Sequence, residues 1–166
     1  MPLHLSFAEY LSVGEGSPIR HEFVGGVVFA AVPSAALGQG CRPYIEGAKL
    51  RLDRPGGHVS VYYPDVMVAC RPPDDLRWET FPCQLVEVLS PSTTVVDRRE
   101  KLGAYLQIET LPAHLLVDPN SPFVEAHERI DGRWVSQSYG PGDTIAFTCP
   151  SVAFSIDSIF ADLPAV

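Results

Sequence analysis

The sequence predicts an α/β (α+β) domain built on a mixed β-sheet, and three observations lead to that prediction. Strand-like segments come first, followed by one amphipathic helix, a short apolar strand and a hairpin, an order typical of mixed sheets. The 13 glycines and 16 prolines favour many short elements joined by turns. With 166 residues, 46% of them hydrophobic, the chain can bury one core, so we expect a single domain over residues 1–166.

The N-terminal part predicts a short helix and a hairpin. Ser6-Phe7-Ala8-Glu9 has capping-box spacing, so a helix is expected to begin near Ser6. Two apolar stretches, 20–24 and 27–30, are joined by Gly25-Gly26, which is typical of a β-hairpin. The segment from Ala31 to Pro43 is small and punctuated by glycine and proline, and it predicts a connection or the remnant of a helix.

Three strands are predicted in the middle of the chain, from Tyr44 to Leu52, from Asp65 to Cys70 and from Gln84 to Leu89. The Pro/Asp-rich stretch from Arg71 to Pro82 separates the last two and is expected to be an exposed loop.

The strongest helical pattern runs from Asp97 to Ile108. Apolar side chains recur at helical spacing at Leu102, Tyr105 and Leu106, and Pro112 lies beyond the end.

A compact strand, Leu115–Val117, follows the helix. The stretches Phe123–Arg129 and Arg133–Tyr139 then predict a hairpin whose turn contains Asp131-Gly132.

Charge and the pattern of the N-terminal residues limit the function classes. The net charge of −8 and the pI near 5.0 do not favour nucleic-acid binding over the surface as a whole, although they allow a local basic patch. No signal-peptide pattern and no long apolar run is visible, so we expect a cytoplasmic protein without membrane contact.

The four cysteines, Cys41, Cys70, Cys83 and Cys149, are scattered and contain no Cys-x-x-Cys pair. We therefore expect neither a zinc site nor a disulfide framework, but ordinary reduced thiols.

Two carboxylates lie in apolar strand segments, and they are the first candidates for chemistry. Glu87 interrupts the run Leu85–Leu89, where burying a carboxylate costs several kcal/mol unless something pairs with it. Asp65 stands at the start of another strand, after Pro64. If the strands are neighbours, both side chains can share a hard cation such as Mg²⁺. The alternatives are an arginine partner for Glu87 and a turn role for Asp65.

Two further charged positions leave alternatives open. Lys101 lies one helical turn after Asp97, so it is either half of a surface ion pair or, at the edge of the buried helix face, a partner of the carboxylates. Glu22 follows His21, and it is either a strand-surface residue or an additional acidic group near the metal.

Several motifs taken together resemble the Uma-two family of restriction-endonuclease-like proteins, a domain of unknown function. They are "RHEFVGGVV", "YYPDVMVAC", "LVEVLSPSTTVVDRREKLGAYL", "AHLLVDP" and "WVSQSYGPGDTI", and the resemblance runs in order from about Ser6 to the end of the chain. That family is similar in fold to the PD-(D/E)XK nucleases. The resemblance therefore implies a restriction-endonuclease-like sheet with flanking helices and a nuclease activity dependent on Mg²⁺ or Mn²⁺.

The resemblance also implies roles for individual residues. Asp65 matches the aspartate of the motif and Glu87 its second acidic residue, with the carbonyl of Val88 as an extra metal ligand. The motif lysine would fall at Leu89; Lys101 instead matches family members whose lysine has moved to the following helix. Glu22 matches an acidic residue before the first Gly turn, and nucleic acid, DNA in particular, is the implied substrate.

One departure from the family concerns the first core helix. "AVPSAALGQGCRPYIEGAKL" is too short to hold it, so that helix is expected to be shortened or absent. The sheet face it would cover is then expected to be buried in a homodimer. A catalytically inactive, dimeric interaction protein is the alternative to a nuclease.

Overall fold

This computed structural model describes residues 21–24, 27–30, 40–45, 47–89 and 95–160. The helix near Ser6 and most of the Ala31–Pro43 connection lie outside the described residues. Within them the chain forms twelve strands and two helices. The strands are β1 (His21–Val24), β2 (Val27–Ala30), β3 (Arg42–Ile45), β4 (Leu50–Arg54), β5 (His58–Tyr62), β6 (Val66–Ala69), β7 (Gln84–Val88), β8 (Ala113–Val117), β9 (Val124–Ile130), β10 (Arg133–Tyr139), β11 (Thr144–Thr148) and β12 (Ser151–Ser155), and the helices are α1 (Val95–Tyr105) and α2 (Ile156–Phe160).

Six of the strands form a mixed sheet with the order β10-β9-β8-β7-β6-β3. β7 and β8 are parallel, and every other neighbouring pair in this sheet is antiparallel. The parallel pair requires a crossover, and α1 lies in the connection between β7 and β8. The α+β prediction with a mixed sheet is therefore confirmed.

Two apolar clusters pack against this sheet, because side chains alternate between its faces. One cluster joins Met67 and Leu85 of the sheet to α1. The other joins Leu115 and Ala126 of the sheet to residues of β11, β12 and α2. None of the described helices is long and apolar enough to cross a bilayer.

The end of α1 is fastened to the hairpin of β9 and β10. The indole of Trp134 donates a hydrogen bond to the carbonyl of Leu106 at 2.8 Å, and the guanidinium of Arg129 donates to the carbonyl of Ile108 at 2.9 Å. These carbonyls follow the last helical turn and lack intrahelical donors, so the two side chains both cap the helix and set its position over the sheet.

Both predicted hairpins are confirmed. β1 pairs with β2 with Val24 opposite Val27, so the connection consists of two residues. β9 pairs with β10 with Ile130 opposite Arg133. Asp131 and Gly132 have φ of 50° and 76°, the left-handed values that a two-residue turn of this kind requires.

The prediction of one strand from Tyr44 to Leu52 is wrong. β3 ends at Ile45, and β4 begins at Leu50 in a separate sheet with β5, a strand that was not predicted. Gly47 has φ of 76°, which breaks the extended backbone between them. The hairpin of β11 and β12 and the helix α2 were also not predicted.

The prediction of an exposed loop from Arg71 to Pro82 holds only in part: five of the twelve residues are exposed, all of them before Trp78, and the end of the loop is anchored. Glu79 is buried, and its backbone N–H donates to the carbonyl of Lys49 at 2.8 Å. Its carboxylate accepts hydrogen bonds from the backbone N–H groups of Thr80 and Phe81, each at 3.0 Å. The loop therefore ends firmly at the beginning of β7.

The expectation of reduced thiols is wrong for this structure. Cys41 is disulfide-bonded to Cys70, and Cys83 to Cys149. The expectation failed because positions far apart in sequence meet where antiparallel strands begin and end.

One polar side chain in the core predicts acid sensitivity. His114 on β8 is 1% exposed, stacks on His127 and meets Tyr105 edge-on. Burial lowers the pKa of His114 to about 3, with a smaller contribution from His127. The unfolded chain thus takes up a proton at this site below about pH 6.5, while the folded chain does so only near pH 3.

We expect the unfolding free energy to fall as the pH is lowered from about 6.5 toward 3, with His114 contributing about 1.4 kcal/mol per pH unit. His114→Phe keeps the ring and removes the titration, so its denaturant-derived stability should fall less steeply over this range. His58→Phe, at an exposed position, is the control and should keep the wild-type slope. Equal slopes for wild type and His114→Phe would show that His114 is not the acid-sensitive group.

Candidate active site

The two candidate carboxylates meet where β6 begins and β7 ends. Val66 is opposite Val86 in the antiparallel pair, so Asp65, directly before β6, is opposite Glu87. Glu87 follows Leu85 by two residues and faces the same side of the sheet. That side is covered by α1, so both carboxylates lie beneath the helix.

Helix α1 brings two donors to Glu87. The Nζ of Lys101 lies 3.2 Å from Oε1 and 3.1 Å from Oε2 of Glu87. The hydroxyl of Tyr105 donates to Oε1 at 2.8 Å. Lys101 and Tyr105 are four residues apart, which places them one above the other on one helix face.

This arrangement identifies what offsets the burial of Glu87. Its side chain is 12% exposed, and burial raises the pKa of Glu87, with the charge of Asp65 acting in the same direction. The charge of Lys101 and the hydrogen bond from Tyr105 lower it. The partner is therefore a lysine and a tyrosine of α1, and not an arginine.

Tyr105 was not predicted as a site residue. It is fully buried, and burial together with the charge of Glu87 raises its pKa, so its hydroxyl stays protonated and donates. The sequence contained a usable pattern, because Tyr105 stands one turn after Lys101. Helical spacing alone did not distinguish it from a core residue.

Asp65 is held by the backbone of β7. Its Oδ2 accepts a hydrogen bond from the N–H of Val88 at 2.7 Å. In an extended strand the N–H and the C=O of one residue point toward the same neighbouring strand. The N–H of Val88 points toward Asp65 and β6, so the carbonyl of Val88 does as well. Two carboxylates and one carbonyl are hard oxygen donors, which fit Mg²⁺ or Mn²⁺.

The remaining predicted site residues are not brought to this group by described contacts. Glu22 lies on β1, which forms a separate two-stranded sheet with β2, and its side chain is outside the described residues. The role predicted for Glu22 stays a prediction.

A second polar group adjoins the site through an aromatic contact. The ring of Tyr62 lies 5.6 Å from the ring of Tyr105 in an edge arrangement. The Tyr62 hydroxyl bonds Glu100 of α1, and Arg54 bonds both Tyr62 and Glu100. Arg54 is therefore a second cation near the site, separated from Tyr105 by the side chain of Tyr62.

Comparison with known proteins adds a family model, two relatives and one solved structure. The model of Uma2, described as "Putative restriction endonuclease", matches residues 7–157. The uncharacterized protein slr1290 of Synechocystis sp. is 29% identical over 96% of this chain and 93% of its own length. A second Synechocystis protein, sll1609, also uncharacterized, is 30% identical over 79% of this chain and 85% of its own length.

One of the similar solved structures is that of a protein from Anabaena variabilis described as a "putative nuclease belonging to DUF820". It superimposes with a TM-score of 0.55 over 95% of this chain and 98% of that chain, at 16% identity. At this identity the likeness concerns the fold, and it agrees with the restriction-endonuclease-like sheet expected from the sequence.

Lys101→Met is expected to lower the unfolding free energy by about 1–3 kcal/mol at pH 7, because it leaves the carboxylate of Glu87 buried without a cation. The lower part of the range applies if water reaches the site, since the Lys101 side chain is 31% exposed. Lys49, the other lysine of the chain, is exposed, so Lys49→Met is the matched control and should change stability by less than about 0.5 kcal/mol.

The double variant Glu87→Gln/Lys101→Met completes a thermodynamic cycle for this pair. Once Glu87 carries no charge, removing Lys101 should cost less than it does in the wild type. Urea unfolding of the four proteins measures the coupling. A coupling within error of zero would mean that Lys101 does not compensate the buried charge.

Proposed function

We propose, from the premise that this chain belongs to the Uma2 family of restriction-endonuclease-like proteins, that it hydrolyses phosphodiester bonds of nucleic acid. The observation that carries the proposal is the buried carboxylate of Glu87, held beside Asp65 with the ammonium of Lys101 at 3.1 Å. A sheet that served only as a scaffold would gain nothing from burying a charge that must then be neutralised.

Asp65, Glu87 and the carbonyl of Val88 are the groups that would hold a divalent cation, Mg²⁺ or Mn²⁺. Such an ion, when bound, supplies the positive charge that polarises a phosphodiester and the attacking water. The hydrogen bond from the backbone of β7 already holds the carboxylate of Asp65 in position for binding such an ion. The resemblance to the PD-(D/E)XK nucleases supports the same set of ligands.

Lys101 would act on the substrate. Its ammonium bonds both carboxylate oxygens of Glu87, and its side chain is 31% exposed, so it reaches both the buried site and solvent. A phosphate oxygen entering the site can accept a hydrogen bond from this ammonium, which then counters charge that develops in the transition state. Lys101 thereby takes the part of the motif lysine from a helix instead of the strand.

Tyr105 would position Glu87. Its hydroxyl holds Oε1 at 2.8 Å from within the core. With one oxygen held by Tyr105, the carboxylate keeps its orientation when the ammonium of Lys101 turns to a substrate.

The acidic chain needs a local positive region to bind a polyanion. Arg54 donates a hydrogen bond to Tyr62, whose ring contacts Tyr105, and another to Glu100, the residue before Lys101. Its ion pair with Glu100 at 3.0 Å is partly exposed and can yield to phosphate. Arg54 and Lys101 are the two cations that we assign to the backbone of the substrate, for which DNA is the first choice.

Cleavage is expected to depend on the carboxylates and on Lys101. The assay incubates the purified full chain with supercoiled DNA, single-stranded DNA and RNA in Mg²⁺ or Mn²⁺, with EDTA as the blank. Lys101→Ala and Glu87→Gln should each lower the cleavage rate at least about 100-fold. Lys49→Ala should retain the wild-type rate. Cleavage that is equal in EDTA, or equal in Lys101→Ala, would rule out this site.

Cation binding is expected to stabilise the folded chain. Millimolar Mg²⁺ or Mn²⁺ should raise the melting temperature of the wild type, because the ion binds the native state. The shift should vanish in Asp65→Asn and Glu87→Gln and persist in Lys101→Ala, which retains the oxygen ligands. A wild-type melting temperature that does not respond, or a shift that Glu87→Gln shares, would leave Glu87 as a structural ion pair.

A homodimer in the cytoplasm remains part of the proposal. The dimer was predicted because the Ala31–Pro43 connection is too short for a full helix, and most of that connection lies outside the described residues. An exposed apolar row on and after β5, Val59, Val61 and Tyr63, supports self-association independently. Light scattering of the wild type and of Val61→Lys tests it: a wild-type monomer at every concentration would remove the dimer.

A further inference from the structure

The four cysteines converge at the end of the sheet opposite the carboxylates. Cys41 directly precedes β3, Cys70 directly follows β6, and Cys83 directly precedes β7. β6 is antiparallel to both of its neighbours. The start of β3, the end of β6 and the start of β7 therefore meet at the same end of the sheet. Cys149 reaches the same place from the turn between β11 and β12.

The two disulfides lie side by side, so that their sulfurs form one cluster. The Sγ atoms of Cys70 and Cys83, which belong to different disulfides, are 3.7 Å apart. The three Sγ atoms of Cys70, Cys83 and Cys149 all lie within 4.8 Å of one another. The Sγ atom of Cys41 is bonded to that of Cys70. Two bridges that served only to crosslink the chain would have no need to touch.

We propose that these four cysteines, in their reduced state, bind one Zn²⁺ as a structural site. Four thiolates around zinc at about 2.3 Å form a tetrahedron whose sulfurs are about 3.8 Å apart. The distance between Cys70 and Cys83 already equals such an edge. Reduction breaks the bonds Cys41–Cys70 and Cys83–Cys149. The sulfurs of each pair then separate to the same spacing by side-chain rotation.

The environment suits a tetrathiolate. Cys83 is 4% exposed and the other three cysteines are half-buried, which protects the thiolates from solvent and from competing ligands. Zinc with four thiolates carries two net negative charges. Arg42 and Arg71 each directly follow one of the cysteines, and the guanidinium of Arg42 donates to the carbonyl of Arg71 at 2.6 Å. The guanidinium of Arg71 lies over the ring of Phe81 at 4.0 Å, and that of Arg42 also lies 3.9 Å from a carboxylate oxygen of Glu79. Two positive charges, one of them shared with Glu79, are therefore near this end of the sheet.

Zinc binding takes two steps, reduction of the two disulfides and then exchange of the thiol protons for the metal. Each disulfide takes two electrons from a dithiol or phosphine reductant; the two protons come from the dithiol itself, or from the water whose oxygen converts the phosphine to its oxide. Four electrons and four protons thus give four thiols. Zn²⁺ then displaces the four thiol protons into solvent and forms four zinc–sulfur bonds. Soft thiolates select zinc over the Mg²⁺ expected at the oxygen ligands.

The inferred role is to bind the C-terminal part of the chain to the sheet. Cys149 joins the hairpin of β11 and β12 to the edge formed by β3, β6 and β7. Asp65 and Cys70 stand at opposite ends of β6, separated by roughly 15 Å. The zinc site would therefore act on stability, and it does not depend on the nuclease activity.

The test uses Co²⁺, whose spectrum reports its ligands. The full chain is reduced with a phosphine, freed of metal, and titrated with Co²⁺ under exclusion of oxygen. We expect saturation at about one equivalent, with the intense visible bands of tetrahedral cobalt and a thiolate charge-transfer band, both abolished by Zn²⁺. Metal analysis of wild type purified under reducing conditions should find about one zinc per chain.

Variants locate the site. Cys149→Ser should weaken cobalt binding at least about tenfold or shift the bands away from a four-sulfur spectrum. Asp65→Asn, at the other end of β6, should leave the spectrum unchanged. Wild-type protein that binds no cobalt when its four thiols are shown to be free would overturn the proposal. So would disulfides that persist under the reductant, or a spectrum that Cys149→Ser does not alter.

Discussion

A charged group beneath a helix is the constraint on which the rest of this structure depends. Glu87 occupies a strand position whose neighbours are apolar, and its carboxylate is 12% exposed. The fold accommodates it by placing α1 directly above, so that Lys101 and Tyr105 meet the two oxygens. α1 in turn occupies the crossover that the parallel pair of β7 and β8 requires. The caps from Arg129 and Trp134 then set the position of the helix end.

The two metal sites that we propose lie at opposite ends of β6 and β7. At one end the strands present oxygen atoms of Asp65, Glu87 and Val88 beneath α1. At the other end the residues flanking the same strands are cysteines, and the hairpin of β11 and β12 contributes a fourth. Hard and soft ligands stay apart because β6 and β7 hold them at opposite ends.

The acidic composition of the chain is compatible with the polyanionic substrate that we propose. The net charge of −8 describes the whole surface, whereas the proposed phosphate binding would depend on the few cations near the carboxylates. Lys101 and Arg54 are both held by acidic partners, Glu87 and Glu100. Under the proposed function, each partner would keep its cation in place until a phosphate competed for it, and a modest local positive potential would then be enough in an acidic protein.

The sequence by itself determined the class of fold, both hairpins and the three charged residues of the candidate site. These features depend on local periodicity, on turn chemistry and on the cost of a carboxylate in an apolar strand, which are all visible within short windows. Only the tertiary structure decided that Tyr105 completes the site, because a buried tyrosine on a helix has the same sequence pattern whether or not it meets a carboxylate. It also decided that β3 and β4 belong to different sheets, through the backbone turn at Gly47. The proximity of the four cysteines could not be predicted from the sequence either. It results from the antiparallel order of the strands and from a hairpin distant in sequence, and neither can be read from the spacing of the cysteines along the chain.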